Sequence, residues 1–261
     1  MKNKYLFLIV LLLVVILSVF GFKAYRSYKN SQITPTPTPT ITQKKVTLLE
    51  GWRVEEMAVK LNKELGIKGN DFIKNAQEGY MFPDTYFFAE DASASAVVKK
   101  LGNTFDLKYD ADLQTKIKKL GLTPEQGVIL ASIVEREARS DEVRRMVASI
   151  LLKRYKIGMG LNADATIQYA LVSKGTLNPP VDGWWKRNLT KDDLKINSPY
   201  NTYIHAGFPP SPICNPSLSS LKAVAAATPS TPYLYYYHDL QGRSYYARTL
   251  EEHNNNVASH P

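Results

Sequence analysis

An uninterrupted apolar run near the N-terminus constrains this chain most. Tyr5–Phe22 holds 18 residues without a charge in a chain of 261. As an α-helix rising ~1.5 Å per residue, a run of this length covers roughly 27 Å, close to the hydrocarbon thickness of a bilayer. The core of a secretory signal peptide is shorter, about 7–15 residues, and small residues follow it. Val19-Phe20-Gly21 is a poor cleavage site, so the run predicts an uncleaved transmembrane anchor within residues 1–30.

The charges that flank the run do not decide its orientation. Lys2 and Lys4 precede it, whereas Lys23, Arg26 and Lys29 follow it, so the rule that basic residues stay in the cytoplasm is weak here. The large C-terminal portion favours a cytoplasmic N-terminus. Residues 31–43 contain alternating Thr and Pro, a pattern that favours polyproline II at about 3.1 Å per residue. We expect this linker to hold the following domain away from the membrane.

Composition and motifs exclude several functions. The formal net charge is +9, but residues 1–30 contribute five bases and no acid, whereas residues 44–261 hold 28 bases and 24 acids. A nucleic-acid-binding domain concentrates positive charge on its own surface, so we expect no nucleic-acid partner. Cys214 is the single cysteine, and the four histidines lack metal-ligand spacing. No glycine-rich phosphate-binding motif is present, and we expect neither a metal nor a cofactor.

The remaining sequence predicts an α+β fold in two parts. In residues 44–118, a strand is expected at Val46–Leu49 and a helix at Val54–Leu65, which Gly66 ends. A short helix begins at Asp71, and a longer helix spans Ser93–Leu107. Residues 119–261 form a mixed α+β domain, in which aromatic runs on either side of residues 239–242 predict a β-hairpin near the C-terminus.

A buried helix carries the first candidate site. Thr123, Pro124 and Gln126 are typical of a helix start, and the apolar residues 128–134 that follow predict burial on all sides. Glu135 comes directly after this run, where desolvation raises the pKa of a carboxyl and keeps it able to donate a proton. The alternative is a surface ion pair with Arg139, four residues later. Glu137 competes for the catalytic role. The two glutamates lie about 200° apart on a helix, so only one of them can face a given cleft.

Polar and aromatic side chains alternate in two further segments. These are Asn162–Thr166 and Asn197–Tyr203, with Trp184 and Trp185 between them as stacking platforms. Sugars need polar groups for their hydroxyls and a flat apolar surface for their rings. Turn chemistry and core aromatics explain the same residues without a ligand. Ser219–Lys222 matches the S-x-x-K pattern of some acyl-transfer enzymes, but without its partner motifs it is interpreted as a helix start.

Residues 46–257 contain several distinctive motifs in a fixed order. They include LASIVEREA at Leu130–Ala138, SPYNTY at Ser198–Tyr203, Gly207–Pro210, Thr231–Tyr235 and Glu252-His253. Together these motifs resemble the endolytic murein transglycosylase family. Leu49–Trp52 and Glu78–Tyr86 resemble the family's LysM-like subdomain. Asn162, Phe208, Ser211 and Ser217 depart from the residues expected at their positions.

The resemblance implies a single-pass protein of the bacterial plasma membrane with an extracytoplasmic catalytic domain. Members cleave MurNAc–GlcNAc β-1,4 bonds inside nascent peptidoglycan strands, leave 1,6-anhydro-MurNAc ends and terminate strand elongation. Peptidoglycan glycan strands are therefore the implied substrate, and peptidoglycan synthases are candidate partners. The family's catalytic glutamate falls on Glu135. The residues expected to bind substrate are Asp164, Thr166, Tyr200, Asn201, Thr202 and Tyr203.

The single catalytic glutamate that the resemblance implies fits a mechanism with one carboxylate. Ordinary glycosidases need two carboxylates at a defined separation, whereas in lytic transglycosylases the substrate's own C6 hydroxyl attacks C1. Glu135 would protonate the leaving oxygen and then accept the proton of that hydroxyl. Two other functions stay open: a non-catalytic wall-binding anchor, and a hydrolase in which Glu137 or Asp141 assists a water. The products distinguish them: an anhydro end, a reducing end or no cleavage.

Overall fold

The structure is a computed structural model that describes residues 2–31 and 42–261. The chain divides into two compact units between Ile41 and Thr42. In the first, helix α1 spans Lys2–Ser31 and is long and apolar enough by composition to cross a bilayer. The predicted linker at residues 31–43 lies mostly outside the described residues. The second unit mixes helices with two small antiparallel sheets, which confirms the predicted α+β class.

The second unit begins with a strand–helix–helix–strand segment. Strands β1 (Gln43–Thr47) and β2 (Thr85–Ala89) pair antiparallel, with Thr47 opposite Thr85. Between them lie α2 (Val54–Leu65) and α3 (Gly69–Asn75). The prediction for α2 is confirmed at both ends, and Gly66 ends it with φ of 70°. β1 begins three residues before the predicted strand, and α3 begins two residues before Asp71.

Two helices continue the chain toward the second core. α4 spans Ala94–Lys108, one residue later at each end than the predicted helix, and Ser93 is its N-cap. α5 (Ala111–Lys119) was not predicted, because its only buried apolar residues are Leu113 and Ile117. One hydrophobic cluster joins β1, α2, β2 and α4, and a larger one surrounds the helix that follows α5.

That helix, α6 (Pro124–Glu137), is the centre of the larger core. Thr123 accepts a hydrogen bond from the backbone N–H of Gln126, and the Gln126 side chain accepts one from the backbone N–H of Thr123. This confirms the predicted helix start. All residues from Gly127 to Val134 are buried. α7 (Asp141–Lys156) packs beside it, with Ser140 as N-cap. The burial of α6 fixes the helix end that carries both glutamates.

The C-terminal part surrounds this helix end. It contains α8 (Asp164–Ala170), a long loop with a 3-10 turn at Asp193–Lys195, and α9 (Leu218–Ala225). Ser217 caps α9, so the S-x-x-K segment does begin a helix, but its Ser219 lies in the first turn and is not the cap. The predicted hairpin is confirmed as β3 (Tyr235–His238) and β4 (Ser244–Ala247), and α10 (Leu250–Ser259) follows it.

Candidate active site

The C-terminal end of α6 presents two glutamates to different surroundings. Glu135 and Glu137 are two residues apart, and Ala138 ends the helix in an extended conformation. Because two helical positions differ by about 200° in direction, the two carboxylates have different neighbours. Their surroundings decide what each can do.

Glu135 is held in a polar cluster. Its Oε2 accepts hydrogen bonds from the backbone N–H of Ser217 at 2.9 Å and from the hydroxyls of Ser217 at 2.5 Å and Ser220 at 2.7 Å. Its Oε1 pairs with the Arg144 guanidinium at 3.2 Å, and only 5% of the side chain is exposed. The predicted burial is confirmed, but the ion-pair partner is Arg144 instead of Arg139, and the neighbours are polar. Hydrogen bonds of this kind stabilise a charged carboxylate.

Glu137 has a different environment. Burial raises the pKa of its carboxyl to about 7, and the nearby negative charge of Asp164 adds to this effect. The Tyr236 hydroxyl and the backbone N–H of Ala165 donate toward the carboxylate and partly offset the rise. A carboxyl with a pKa near 7 is partly protonated at neutral pH and can exchange a proton in either direction.

A cleft passes on both sides of Glu137. One cavity of about 480 Å³ contains Arg154, Asp164, Tyr203 and His253 in its lining. A second cavity of about 580 Å³ runs toward the hairpin turn. The two cavities share Glu137 and His238 in their linings. Glu135 also lines the second cavity, although its oxygens are occupied by the polar cluster.

The cleft contains two of the six residues expected to bind substrate. Asp164 and Tyr203 line the first cavity, and the Tyr203 hydroxyl donates a hydrogen bond to Asp164 at 2.6 Å. Burial and the Asp164 charge raise the pKa of this hydroxyl, which stays protonated and remains a donor. Both residues therefore lie in the cavity that Glu137 also lines.

The other four expected binding residues support the loops around the cleft. Thr166 and Thr202 are buried and share a hydroxyl–hydroxyl bond of 2.9 Å. Asn201 is fully buried and donates to the carbonyls of Leu194 and Ile196. Tyr200 contacts the Ser211 hydroxyl at 2.6 Å. In this structure their hydrogen-bonding groups have protein partners, and substrate binding by these four residues stays a prediction.

Residues of the hairpin and of α7 complete the first cavity, and sequence reasoning did not select them for the site. Arg154 donates to the carbonyls of Leu234 and Leu161, both at 2.7 Å, and so ties β3 to the loop before α8. Tyr235, Tyr236, Tyr237 and His238 contribute the β3 wall. The aromatic repeat in this strand predicted the hairpin, but no local pattern indicated which face meets α6.

The predicted stacking platform at Trp185 has other contacts. Its indole N–H donates to Glu56 at 3.0 Å, and the Arg136 guanidinium lies 3.8 Å from the ring centre. Trp185 therefore connects α2 with the residue between the two glutamates. Within residues 2–31 and 42–261, no group of three His, Cys, Asp or Glu residues is arranged to hold a metal ion.

Comparisons with known proteins agree on one family. The sequence model of the YceG-like family matches residues 23–259. The chain is 34% identical over 186 residues to the endolytic murein transglycosylase of Bacillus subtilis (strain 168). The matched region covers 71% of this chain and 48% of that protein. It is 32% identical over 187 residues to the protein of the same name from Streptococcus pneumoniae, with coverages of 70% and 32%. The chain thus spans about half or less of the length of these relatives.

A solved structure has the same fold. The crystal structure of a yceG-like protein from Listeria monocytogenes superposes with a TM-score of 0.70 at 27% sequence identity. The match covers 81% of this chain and 75% of the other.

Proposed function

This chain belongs to the YceG-like family, and we propose that it is an endolytic murein transglycosylase that cleaves MurNAc–GlcNAc β-1,4 bonds within peptidoglycan strands. Two relatives carry that activity in their names. The observation on which the proposal depends is the position of Glu137. Its carboxyl has a pKa of about 7 and lies where two cavities meet. A cleft that continues on both sides of the acid suits a bond in the middle of a strand.

The reaction needs one group that gives and then takes a proton. In the proposed mechanism the protonated Glu137 donates its proton to the leaving glycosidic oxygen as the bond from C1 to that oxygen breaks. The C6 hydroxyl of the same MurNAc then attacks C1, and its proton passes to the Glu137 carboxylate. The new C1–O6 bond closes the 1,6-anhydro ring. The enzyme regains its proton at the end of the cycle. Because no water is consumed, the reaction is that of a lyase.

The choice of Glu137 over Glu135 rests on what each carboxylate contacts. Three donors and Arg144 already contact the oxygens of Glu135, so both oxygens of this carboxyl are engaged by the protein. Glu137 has the raised pKa that a general acid requires. The family resemblance indicates Glu135, which therefore remains the alternative. We propose that Glu137 carries the chemistry and that Asp164 and Tyr203 orient the glycan beside it.

The remaining parts of the chain fit an enzyme attached to the membrane. We propose that α1 anchors residues 1–30 in the plasma membrane with the N-terminus in the cytoplasm, and that residues 31–43 form a spacer. Residues 44–118 would be the LysM-like subdomain, whose strand–helix–helix–strand order supports that interpretation. Residues 119–261 would be the catalytic domain. An enzyme that cuts nascent strands at this site would act beside peptidoglycan synthases.

Product analysis tests the activity. The full-length protein in detergent is incubated with uncrosslinked peptidoglycan strands, and the fragments are measured by mass spectrometry. Internal fragments with anhydro ends, one water lighter than hydrolysis products, are expected. Fragments with reducing ends would identify a hydrolase. Strands that bind without cleavage would identify a wall-binding protein.

Two matched variants test the choice of acid. Glu137→Gln keeps the shape of the side chain but cannot transfer a proton, and we expect cleavage to fall by about 10²- to 10⁴-fold. Glu135→Gln is the control two residues away and should keep cleavage well above that level while folded. If Glu135→Gln abolishes cleavage in a folded protein and Glu137→Gln does not, the assignment passes to Glu135.

A further inference from the structure

A buried polar contact joins the strand–helix–helix–strand segment to the loop before α9. On one side are Trp52 and Glu78, and on the other is Asn215, which is completely buried. Burial of polar groups is favourable only when their hydrogen bonds are satisfied with good geometry. The mechanism proposed above uses none of these three residues.

Asn215 satisfies nearly all of its hydrogen-bonding groups across this contact. Its Oδ1 accepts from the backbone N–H groups of Gly79 at 3.0 Å and Met81 at 2.9 Å. Its Nδ2 donates to the Trp52 carbonyl at 3.0 Å and to Glu78 Oε1 at 2.9 Å. Its backbone exchanges two more bonds, with the Trp52 carbonyl and the Gly51 N–H. The amide side chain is therefore fixed in both position and orientation.

The same loop also holds α6. The backbone N–H of Ile213 donates to the Ser132 hydroxyl at 3.0 Å, one turn before Glu135. Two residues beyond Asn215, Ser217 donates twice to Glu135. On the opposite side of the contact, Gly51 accepts a hydrogen bond from Arg136, the residue between the two glutamates. A displacement of Asn215 would therefore shift the end of α6 through its contacts at Ser132, Glu135 and Arg136.

We propose that Asn215 is a positioning residue, which docks the strand–helix–helix–strand segment against the loop 213–217 and thereby fixes the end of α6 that presents Glu137 to the cleft. This inference rests on the proposed function. It assigns the N-terminal segment a part in the geometry of catalysis, in addition to any contact that the segment makes with glycan. Misplacement of a catalytic group by about 1 Å is enough to lower a rate about 100-fold.

Glu78 provides a way to probe this contact. Its carboxyl accepts hydrogen bonds from the Val54 N–H and from Asn215, and burial raises its pKa to about 8. The charged groups that act on it are Glu55 and Glu56, which favour the protonated form, and Arg53, which favours the ionised form. Glu78 is therefore mostly protonated at neutral pH and ionised at pH 9.

The test compares variants of Asn215 in the full-length protein. Asn215→Leu has a similar shape but leaves the Gly79 and Met81 N–H groups without a partner. We expect its kcat to fall by about 10- to 100-fold while KM changes by less than about twofold. In Asn215→Asp, the carboxylate can still accept from both N–H groups and from protonated Glu78. The oxygen that replaces Nδ2 faces the Trp52 carbonyl at every pH, so the pH-dependent part of the effect comes from Glu78. The kcat relative to the parent protein should fall further between pH 6.5 and pH 9.

The double variant Glu78→Gln with Asn215→Asp provides the rescue. The amide introduced at position 78 donates to the carboxylate introduced at position 215 at every pH. The loss at pH 9 should therefore disappear, which a general loss of stability would not explain. Phe87→Ala, on the exposed face of β2, is the control for changes elsewhere in the segment. Circular dichroism establishes that each variant is folded during the assay.

The outcomes separate this inference from the proposed function. Folded Asn215→Leu with the kcat of the parent protein overturns the positioning role alone. Equal losses at pH 6.5 and pH 9 in Asn215→Asp, without rescue by Glu78→Gln, also overturn it. Absence of anhydro ends from the parent protein overturns the proposed function and this inference together.

Discussion

The surroundings of Glu135 and of Glu137 differ although the two residues belong to one helix end. The Glu135 carboxylate accepts hydrogen bonds from Ser217 and Ser220 and pairs with Arg144. The Glu137 carboxyl lies in a cleft beside Asp164, where burial raises its pKa to about 7. Protein donors hold the oxygens of the first carboxyl, whereas the second carboxyl lines two cavities.

This difference shows that residue type and helical position do not determine a carboxylate's role. Both glutamates follow the same buried apolar run and lie within one turn of each other. Ser217, Ser220 and Arg144 hold the oxygens of Glu135, whereas burial and the negative charge of Asp164 disfavour ionisation of Glu137. The contrast predicts that Glu135 contributes mainly to stability and Glu137 mainly to activity.

The largest expected effect on stability comes from Glu135→Gln. The neutral Gln side chain cannot form an ion pair with Arg144, so a largely buried guanidinium keeps only the exposed Asp141, at 3.5 Å, as a charged partner. Loss of one partner from a buried ion pair costs about 3 kcal/mol in the free energy of unfolding. Urea denaturation at pH 7 measures this change.

Glu137→Gln is the comparison for that measurement, because the same substitution removes no ion pair there. It should leave the free energy of unfolding at pH 7 unchanged or raise it. An equal loss of stability in both variants would contradict the distinction between the two carboxylates.

The sequence predicts the helix that carries both residues but not the distinction between them. Thr123 and Gln126 are local signals, and their capping box and the buried run that follows are present in the structure. The partners of Glu135 come from distant parts of the chain, since Ser217 is 82 positions away. Spacing along α6 contains no information about them, and for this reason the alternative of an ion pair with Arg139 named the wrong arginine.

The same limit applies to the cleft. The alternation and turn residues of the hairpin are local, so the hairpin could be predicted, whereas its packing against α6 is tertiary. Thr166, Asn201 and Thr202 have the side chains of a sugar-binding site, yet they are buried and bond to neighbouring loops. Residue type predicted these side chains as polar groups of a site, but their burial and their protein partners depend on tertiary contacts that the local sequence does not contain.

A smaller effect is expected in the pH dependence of stability. The pKa of Glu137 is about 7 in the folded protein and 4.5 in its ordinary state. Because the folded pKa is raised, the folded state binds the proton more tightly. The contribution of protonated Glu137 to the free energy of unfolding is fully present below pH 4.5. It is lost as the pH rises through about 7. Relative to the parent protein, Glu137→Gln should therefore gain slightly less than ~3 kcal/mol between pH 4.5 and pH 7.5.

Urea denaturation of both proteins across this range measures that difference. Glu78 also titrates in this range, but it is present in both proteins and cancels in the comparison. A parallel pH dependence in the two proteins would mean that Glu137 has an ordinary pKa. The basis for choosing it as the acid would then be lost.

The smallest effect concerns Asp164, which sharpens the contrast by its charge alone. Its carboxylate raises the pKa of Glu137, so Asp164→Asn should lower that pKa while the amide oxygen still accepts from Tyr203. Glu137 then loses its donated proton at lower pH, and the alkaline limb of the kcat profile should move toward lower pH. Tyr203→Phe is the control, because it removes a hydroxyl and keeps the Asp164 charge. If Asp164→Asn instead changes the height of the profile without moving its alkaline limb, the catalytic acid is not a carboxyl beside Asp164. The assignment of the acid would then pass to Glu135, which has other neighbours.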